Sequence, residues 1–169
     1  VLAHRVAWHA NVAALRAGQA EEARSGRPGN DAVTMLFGGT GPEEGDTRAD
    51  ASAGIVFVDD AVLDPSPGID ETILLTHSGI DRFTGGVREG VLFSERLVAP
   101  GTPFETRVEI DDRAGHDVPA AAREALRLAL EDLRGGRWQI GQGYGRGHGW
   151  VDGEIEWLRG ADWLAKGGR

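Results

Sequence analysis

Residues 118–133, VPAAAREALRLALEDL, constrain the fold more than any other stretch, because they read as a helix and as nothing else. Leu126, Leu130 and Leu133 recur at helical spacing, Pro119 suits a first turn, and Gly135 and Gly136 stop the pattern. Strands bracket this helix. AGIVFVDDA, residues 53–61, is a β-branched run expected to be buried on both faces at its centre. FETRVEI, residues 104–110, puts Phe104, Thr106, Val108 and Ile110 on one face, and WVDGEIEW, residues 150–157, reads as the last strand. A second helix covers residues 2–17, where Val6, Ala10, Ala13 and Ala14 recur at helical spacing. The order is helix, strand, excursion, strand, helix, strand. One strand added before Val1 turns it into β-α-β-β-α-β, the split-βαβ or ferredoxin-like order. The expected fold class is therefore α+β, ferredoxin-like, with its first strand missing from this chain.

The excursion, residues 62–98, is its own construction. A turn at residues 65–68 leads into ETILLTHS, then a tip, IDRFTGG, then the returning strand VLFSERLV. The tip carries Arg82, with Arg88 just beyond, and Asp81 is expected to pair with Arg82 and shape the turn. Residues 40–50, TGPEEGDTRAD, are acidic, lack large apolar side chains and read as a mobile loop. Residues 159–169 read as a loose tail. At 169 residues the chain is long enough for one domain with a real core. It starts VLAHRVAWHANVAALRA, without a methionine or a signal-type apolar region, so it is expected to begin partway through a larger polypeptide.

One segment asks for a special explanation. In GQGYGRGHGW, glycine takes every second position from Gly141 to Gly149, with Gln142, Tyr144, Arg146 and His148 between. Glycine loses more backbone entropy on folding than any other residue, so this spacing is costly unless the backbone must take unusual dihedrals or lie against something large. It is not a P-loop: no Gly-Lys-Ser/Thr follows, and the spacing is not G-x-G-x-x-G. The physical alternative is a loop whose backbone N–H groups approach phosphates, with Arg146 and His148 supplying charge. The formal charge of -9 opposes a simple nucleic-acid binder. Binding answers to the local field, however. From Leu133 to Trp150 there are Arg134, Arg137, Arg146 and His148 and no acid, whereas the acids gather elsewhere, as at Asp59–Asp60 and Asp111–Asp112.

Other chemistries find little support. The chain has no cysteine, which removes disulfides and thiolate zinc sites and fits a reducing compartment. No stretch approaches the roughly 20 apolar residues of a membrane span. Adjacent Asp59 and Asp60 point to opposite faces of a strand and cannot share a metal. His4 and His9 are off the i, i+4 spacing of a helical metal site. There is no G-x-S-x-G nucleophile.

The ordered set MLFGG, AGIVFVDDA, IDRFTGGVREGVLFSERLVAPGTPFE, a helix and IGQGYGRGHGWV resembles the RAMP superfamily of CRISPR effector proteins, in particular the backbone subunits of type III complexes. The resemblance runs from the first helix to Trp157. It implies an RNA-recognition-like (RRM-like) ferredoxin domain carrying a β-hairpin thumb, with copies stacked along the CRISPR RNA and the thumb kinking the guide–target duplex. It places Arg82 and Arg88 of the thumb near RNA. It sets Gly141, Gly143, Tyr144, Gly145, Arg146, Gly147 and His148 against the guide backbone beside the first helix with its Arg5 and His9, with Arg137 on the same basic stretch. Expected partners are CRISPR RNA, target RNA and other RAMP subunits in a cytoplasmic complex, with no membrane. The family's target-cleaving aspartate follows the first strand, upstream of Val1, so no catalytic residue is assigned here. No cofactor is expected in this chain, and Mg2+ only with an assembled nuclease. Two other readings stay open: a metal-independent ribonuclease that processes CRISPR precursor RNA with His9 or His148 as general acid or base, and a ferredoxin-like protein-interaction module without an RNA role.

Overall fold

A computed structural model describes residues 1–19, 31–39, 53–63, 72–111 and 118–165. The acidic stretch at residues 40–50, the turn at residues 65–68 and His116 lie outside the described residues. The elements in chain order are α1 (Leu2–Arg16), α2 (Asp31–Phe37), β1 (Val56–Val58), β2 (Val62–Leu63), β3 (Thr72–Ile80), β4 (Val87–Val98), β5 (Phe104–Glu105), β6 (Val108–Ile110), α3 (Ala120–Arg134), β7 (Trp138–Gln139), a 3-10 turn (Tyr144–Arg146), β8 (Trp150–Val151) and α4 (Ala161–Ala165). This is an α+β fold. Its strands form separate two-stranded ladders, β1 with β6, β2 with β5, β3 with β4 and β7 with β8. The chain divides into two compact units, Val1–Phe57 with Glu109–Arg169, and Val58–Val108.

The first unit is built by burial. Leu2, Val6 and Ala7 of α1 and Ala122, Ala125, Leu126, Ala129 and Leu130 of α3 are buried, joined by Val33 and Leu36 of α2 and by Ile55 and Val56. On α3 these positions repeat every three or four residues, one stripe of a helix, and its alanines permit close approach of the neighbouring helix. Full burial of one leucine such as Leu126 contributes about 1.5–3 kcal/mol. Glycines end both long helices. Gly18 (φ +80) follows α1, and Gly136 (φ +65) follows Gly135 at the end of α3, where the Gly136 N–H reaches the Leu133 carbonyl at 3.0 Å. Pro119 is the N-cap of α3 rather than part of its first turn.

The LFGG and AGI motifs meet each other. Gly38 (φ +86) closes α2, bridges Ala53, and is followed in space by an Ile55 N–H···O=C Leu36 bond of 3.0 Å. A Cβ on Gly54 would lie 2.3 Å from the Phe37 carbonyl carbon, so only glycine permits this crossing. Here the sequence expectation needs correction: Ile55 and Val56 are buried, but Phe57 and Val58 are exposed, so the strand is not buried on both faces through its centre. FETRVEI is split into β5 and β6, and of WVDGEIEW only Trp150 and Val151 enter a ladder. The tail carries α4, whose Leu164 is buried in the core.

The second unit is built by ladder. β3 and β4 pair antiparallel from Thr72↔Val98 to Ser78↔Leu92 and again at Ile80↔Val87. Two steps along β3 answer five along β4, which leaves three extra residues on β4, and Gly90 (φ +76) lies among them. The tip is tied by Asp81. Its carboxylate accepts the N–H of Phe83 at 2.7 Å and of Thr84 at 3.1 Å, and its own N–H donates to the Gly86 carbonyl at 2.9 Å. These backbone N–H groups hold the Asp81 carboxyl below its ordinary pKa. Asp81 is thus spent on the turn and makes no described ion pair with Arg82.

Candidate nucleic-acid interface

Arg5 and His9 stand four residues apart on α1 and therefore share a face. Asp132 lies seven residues beyond Ala125 and three beyond Ala129, on the buried stripe of α3. The fold brings the three together. Arg5 Nη2 pairs with Asp132 Oδ2, and His9 Nε2 lies 2.8 Å from the same oxygen. Arg137, just past the Gly135–Gly136 stop, donates from Nε to Asp132 Oδ1 at 2.7 Å, while its backbone N–H bonds the Asp132 carbonyl at 2.8 Å.

A buried charge is tolerated only when paired and hydrogen-bonded. Asp132 is 4% exposed. Burial pushes its pKa up, but hydrogen bonds from Arg137, His9 and Arg5 outweigh it and bring the pKa down to about 2. The carboxylate is fully ionised at neutral pH and holds two guanidiniums and an imidazole. One negative charge against two permanent positive ones leaves a cationic surplus. Farther along α3, Glu124 and Glu131 both pair with Arg127, a cluster that carries one net negative charge of its own.

Trp8 adds an aromatic face. It is 52% exposed, with the Arg5 guanidinium carbon 5.2 Å from its ring centre and the His9 ring edge-on at 4.7 Å. A cation beside an aromatic ring at this range is a favourable contact. Arg5 therefore binds Asp132 on one side and meets Trp8 on the other.

The glycine loop is in the same unit. β7 starts at Trp138, whose indole N–H donates to the Ala129 carbonyl at 2.9 Å, and pairs with β8 as Trp138↔Val151 and Gln139↔Trp150. The Ile140 N–H closes the ladder onto the Gly149 carbonyl at 2.9 Å. Between them the chain makes a 3-10 turn, in which the N–H groups of Arg146 and His148 both reach the Gly143 carbonyl, at 2.9 and 3.1 Å. Gln139 Nε2 donates to the His148 carbonyl at 2.8 Å.

Most of the glycines now have internal reasons. Gly141, Gly147 and Gly149 have φ of +86, +83 and +85. A Cβ on Gly149 would also sit 1.9 Å from the Ile140 oxygen, and one on Gly143 would sit 2.8 Å from His148 Cβ. Gly145 differs. It has no positive φ, and a Cβ there would meet nothing within 4 Å. Tyr144 gives its backbone to the turn, and its side chain lies outside the described part.

Of the residues predicted from sequence, Arg5, His9 and Arg137 converge on one carboxylate, and Gly141 to His148 form one tight loop in the same unit. Arg82 and Arg88 are exposed in the second unit. Asp132 and Trp8 escaped the sequence reading. The signal for Asp132 was a charge on an otherwise apolar helix stripe. Trp8 carried none, since a tryptophan on a helix is ordinarily core.

A family model described as the RAMP superfamily matches residues 5–152. No curated protein matches the chain.

Proposed function

The chain belongs to the RAMP superfamily, and from that premise we propose that it is a guide-holding backbone subunit of a type III CRISPR ribonucleoprotein. The family makes it a CRISPR-associated RNA-binding module. The finer role rests on one observation: cations from α1 and from the end of α3, far apart in sequence, gather on buried Asp132 in the unit that also carries the glycine loop. Two guanidiniums held on one carboxylate can turn their remaining N–H groups toward phosphate, and backbone contacts of this kind bind RNA without reading its sequence. Guide and target then read each other by base pairing. Arg82 and Arg88, exposed on the hairpin, suit a second contact to the same RNA.

Among the described residues no helix is long and apolar enough to cross a membrane. We take the complex to be cytoplasmic and its other partners to be further RAMP subunits and target RNA. We assign no metal to the residues named here, and any Mg2+ would serve the nuclease of an assembled complex. The ribonuclease reading has weaker support, because His9 has one ring nitrogen on Asp132 and its side chain is only 12% exposed.

The test is the salt dependence of affinity for a single-stranded RNA, measured by anisotropy for the parent chain, Arg146→Ala and Arg137→Ala. Each lost phosphate contact is expected to weaken all sequences alike and to reduce the slope of log K against log salt by about 1. An unchanged slope in both variants would remove the loop and its basic flank from the RNA interface.

A further inference from the structure

Trp8 lies outside the buried stripe of α1. That stripe is Leu2, Val6 and Ala7, with Ala3 and Ala10 packed against the core, whereas Trp8 is 52% exposed. A single exposed apolar side chain needs no explanation by itself. The surroundings of this one do. The Arg5 guanidinium stands over the indole, 5.2 Å from its centroid, and the His9 ring meets it edge-on at 4.7 Å. Both neighbours are mostly covered, and both reach the same Asp132 oxygen. They therefore hold the indole from one side, and its open surface is on the other.

An aromatic side chain offers a large contact area at low conformational cost, because only two torsions must be fixed. Here Arg5 and His9 fix them in advance. Proteins that grip single-stranded nucleic acid combine two parts: cations that track the phosphates and aromatic faces that take the bases. Arg5, His9 and Arg137, gathered on Asp132, supply the first part. Trp8 supplies the second. An apolar protein surface is a poorer match. Leu15, seven residues on and so on the same face of α1, is 56% exposed and would join such a contact. A partner covering both, however, would strip water from the Arg5 guanidinium without bringing an anion, which is costly. RNA brings the anion with the base.

We infer that Trp8 is a nucleobase platform: an unpaired base of a bound RNA stacks on the open face of the indole, while the flanking phosphates meet the guanidiniums gathered on Asp132. The inference rests on the RNA-binding reading above and adds a non-ionic part to it. Stacking on an aromatic ring tolerates any base, because every base has a π face, so the platform grips the strand without selecting its sequence. It does select the state of the strand. Inside a duplex both faces of a base are covered by its neighbours, so the platform takes only a nucleotide that is unstacked on at least one side.

The experiment compares two labelled probes across a salt series: a single-stranded oligoadenylate of about 12 nucleotides, and a ribose-phosphate strand of the same length without bases. The proteins are the 169-residue chain, Trp8→Leu, Trp8→Phe and Leu15→Ser, each checked by thermal unfolding. The parent is expected to prefer the oligoadenylate. Trp8→Leu should weaken oligoadenylate binding about tenfold or more, with its salt slope and its affinity for the base-free strand unchanged. Trp8→Phe, which keeps a ring, should recover most of the loss, and Leu15→Ser should behave as the parent. Equal affinity of the parent for the two probes, or parent-like affinity in Trp8→Leu, overturns the platform and leaves the phosphate contacts standing. An equal loss on both probes with a shallower salt slope also overturns it, because Trp8 would then only support Arg5. An equal loss from Leu15→Ser overturns it in favour of a general apolar face. Failure of the parent to bind either probe at low salt overturns the RNA reading itself, and the platform with it.

Discussion

Every buried apolar residue among those described belongs to the first unit, and the second has none. The β3–β4 hairpin exposes Leu74, Ile80, Val87, Leu92 and, completely, Phe83. A two-stranded hairpin is at best marginally stable alone in water. Its shape is nevertheless set in detail, by a long register, a bulge at Gly90 and a tip tied through Asp81. The contrast teaches that one chain can specify local form in two ways. The first unit is ordered by what it removes from water. The second is ordered by its backbone and turn chemistry, and leaves its apolar and cationic side chains facing outward.

The largest effect that could break this contrast is a core truncation. Leu126→Ala is expected to cost about 4 kcal/mol of unfolding free energy, while Leu74→Ala on β3 should stay within about 0.5 kcal/mol. Urea unfolding of both variants measures it. Equal losses would mean that Leu74 is buried in solution, and the two units would no longer differ in kind.

A smaller effect sharpens the account of Asp132. Its folded pKa of about 2 is depressed from 3.8. A depressed carboxylate contributes stability that is complete above the unfolded pKa and is lost as pH falls through the folded one. The contribution is about 2 kcal/mol, disappearing between about pH 4 and pH 2. Asp132→Asn is expected to be less stable at neutral pH and to show a flatter loss across that window. A parent-like slope in the variant would place the acid-sensitive pairing elsewhere.

What could be read from the sequence follows the same division. The long helices were legible because apolar spacing and glycine stops are local signals, and both appear within a residue or two of their expected ends. The hairpin was legible from its turn residues. The last strand was read as residues 150–157 because alternation announces a strand, but alternation says nothing about whether a partner is present, and only Trp150 and Val151 have one. The gathering of Arg5, His9 and Arg137 was beyond reach for a different reason. It depends on Asp132, which lies one residue outside the acid-free stretch and more than a hundred residues from α1, and only packing of α1 on α3 joins them.

The smallest expected effect on stability bears most directly on function. Gly149→Ala must displace the Ile140 carbonyl and occupy a φ of +85, and is expected to cost about 1–3 kcal/mol. Gly145→Ala meets no atom and no forbidden dihedral, so it should be neutral or stabilising by up to about 1 kcal/mol. If glycine is needed at position 145 at all, the need comes from outside the chain. An RNA backbone lying on the 3-10 turn would supply it, and Gly145→Ala should then weaken RNA binding roughly tenfold, or 1.4 kcal/mol, in a protein that is otherwise as stable as the parent. Thermal unfolding and RNA anisotropy on the one variant separate the two effects. Unaltered binding would mean that the fold alone accounts for the other glycines, and that the main chain at Gly145 does not touch the RNA.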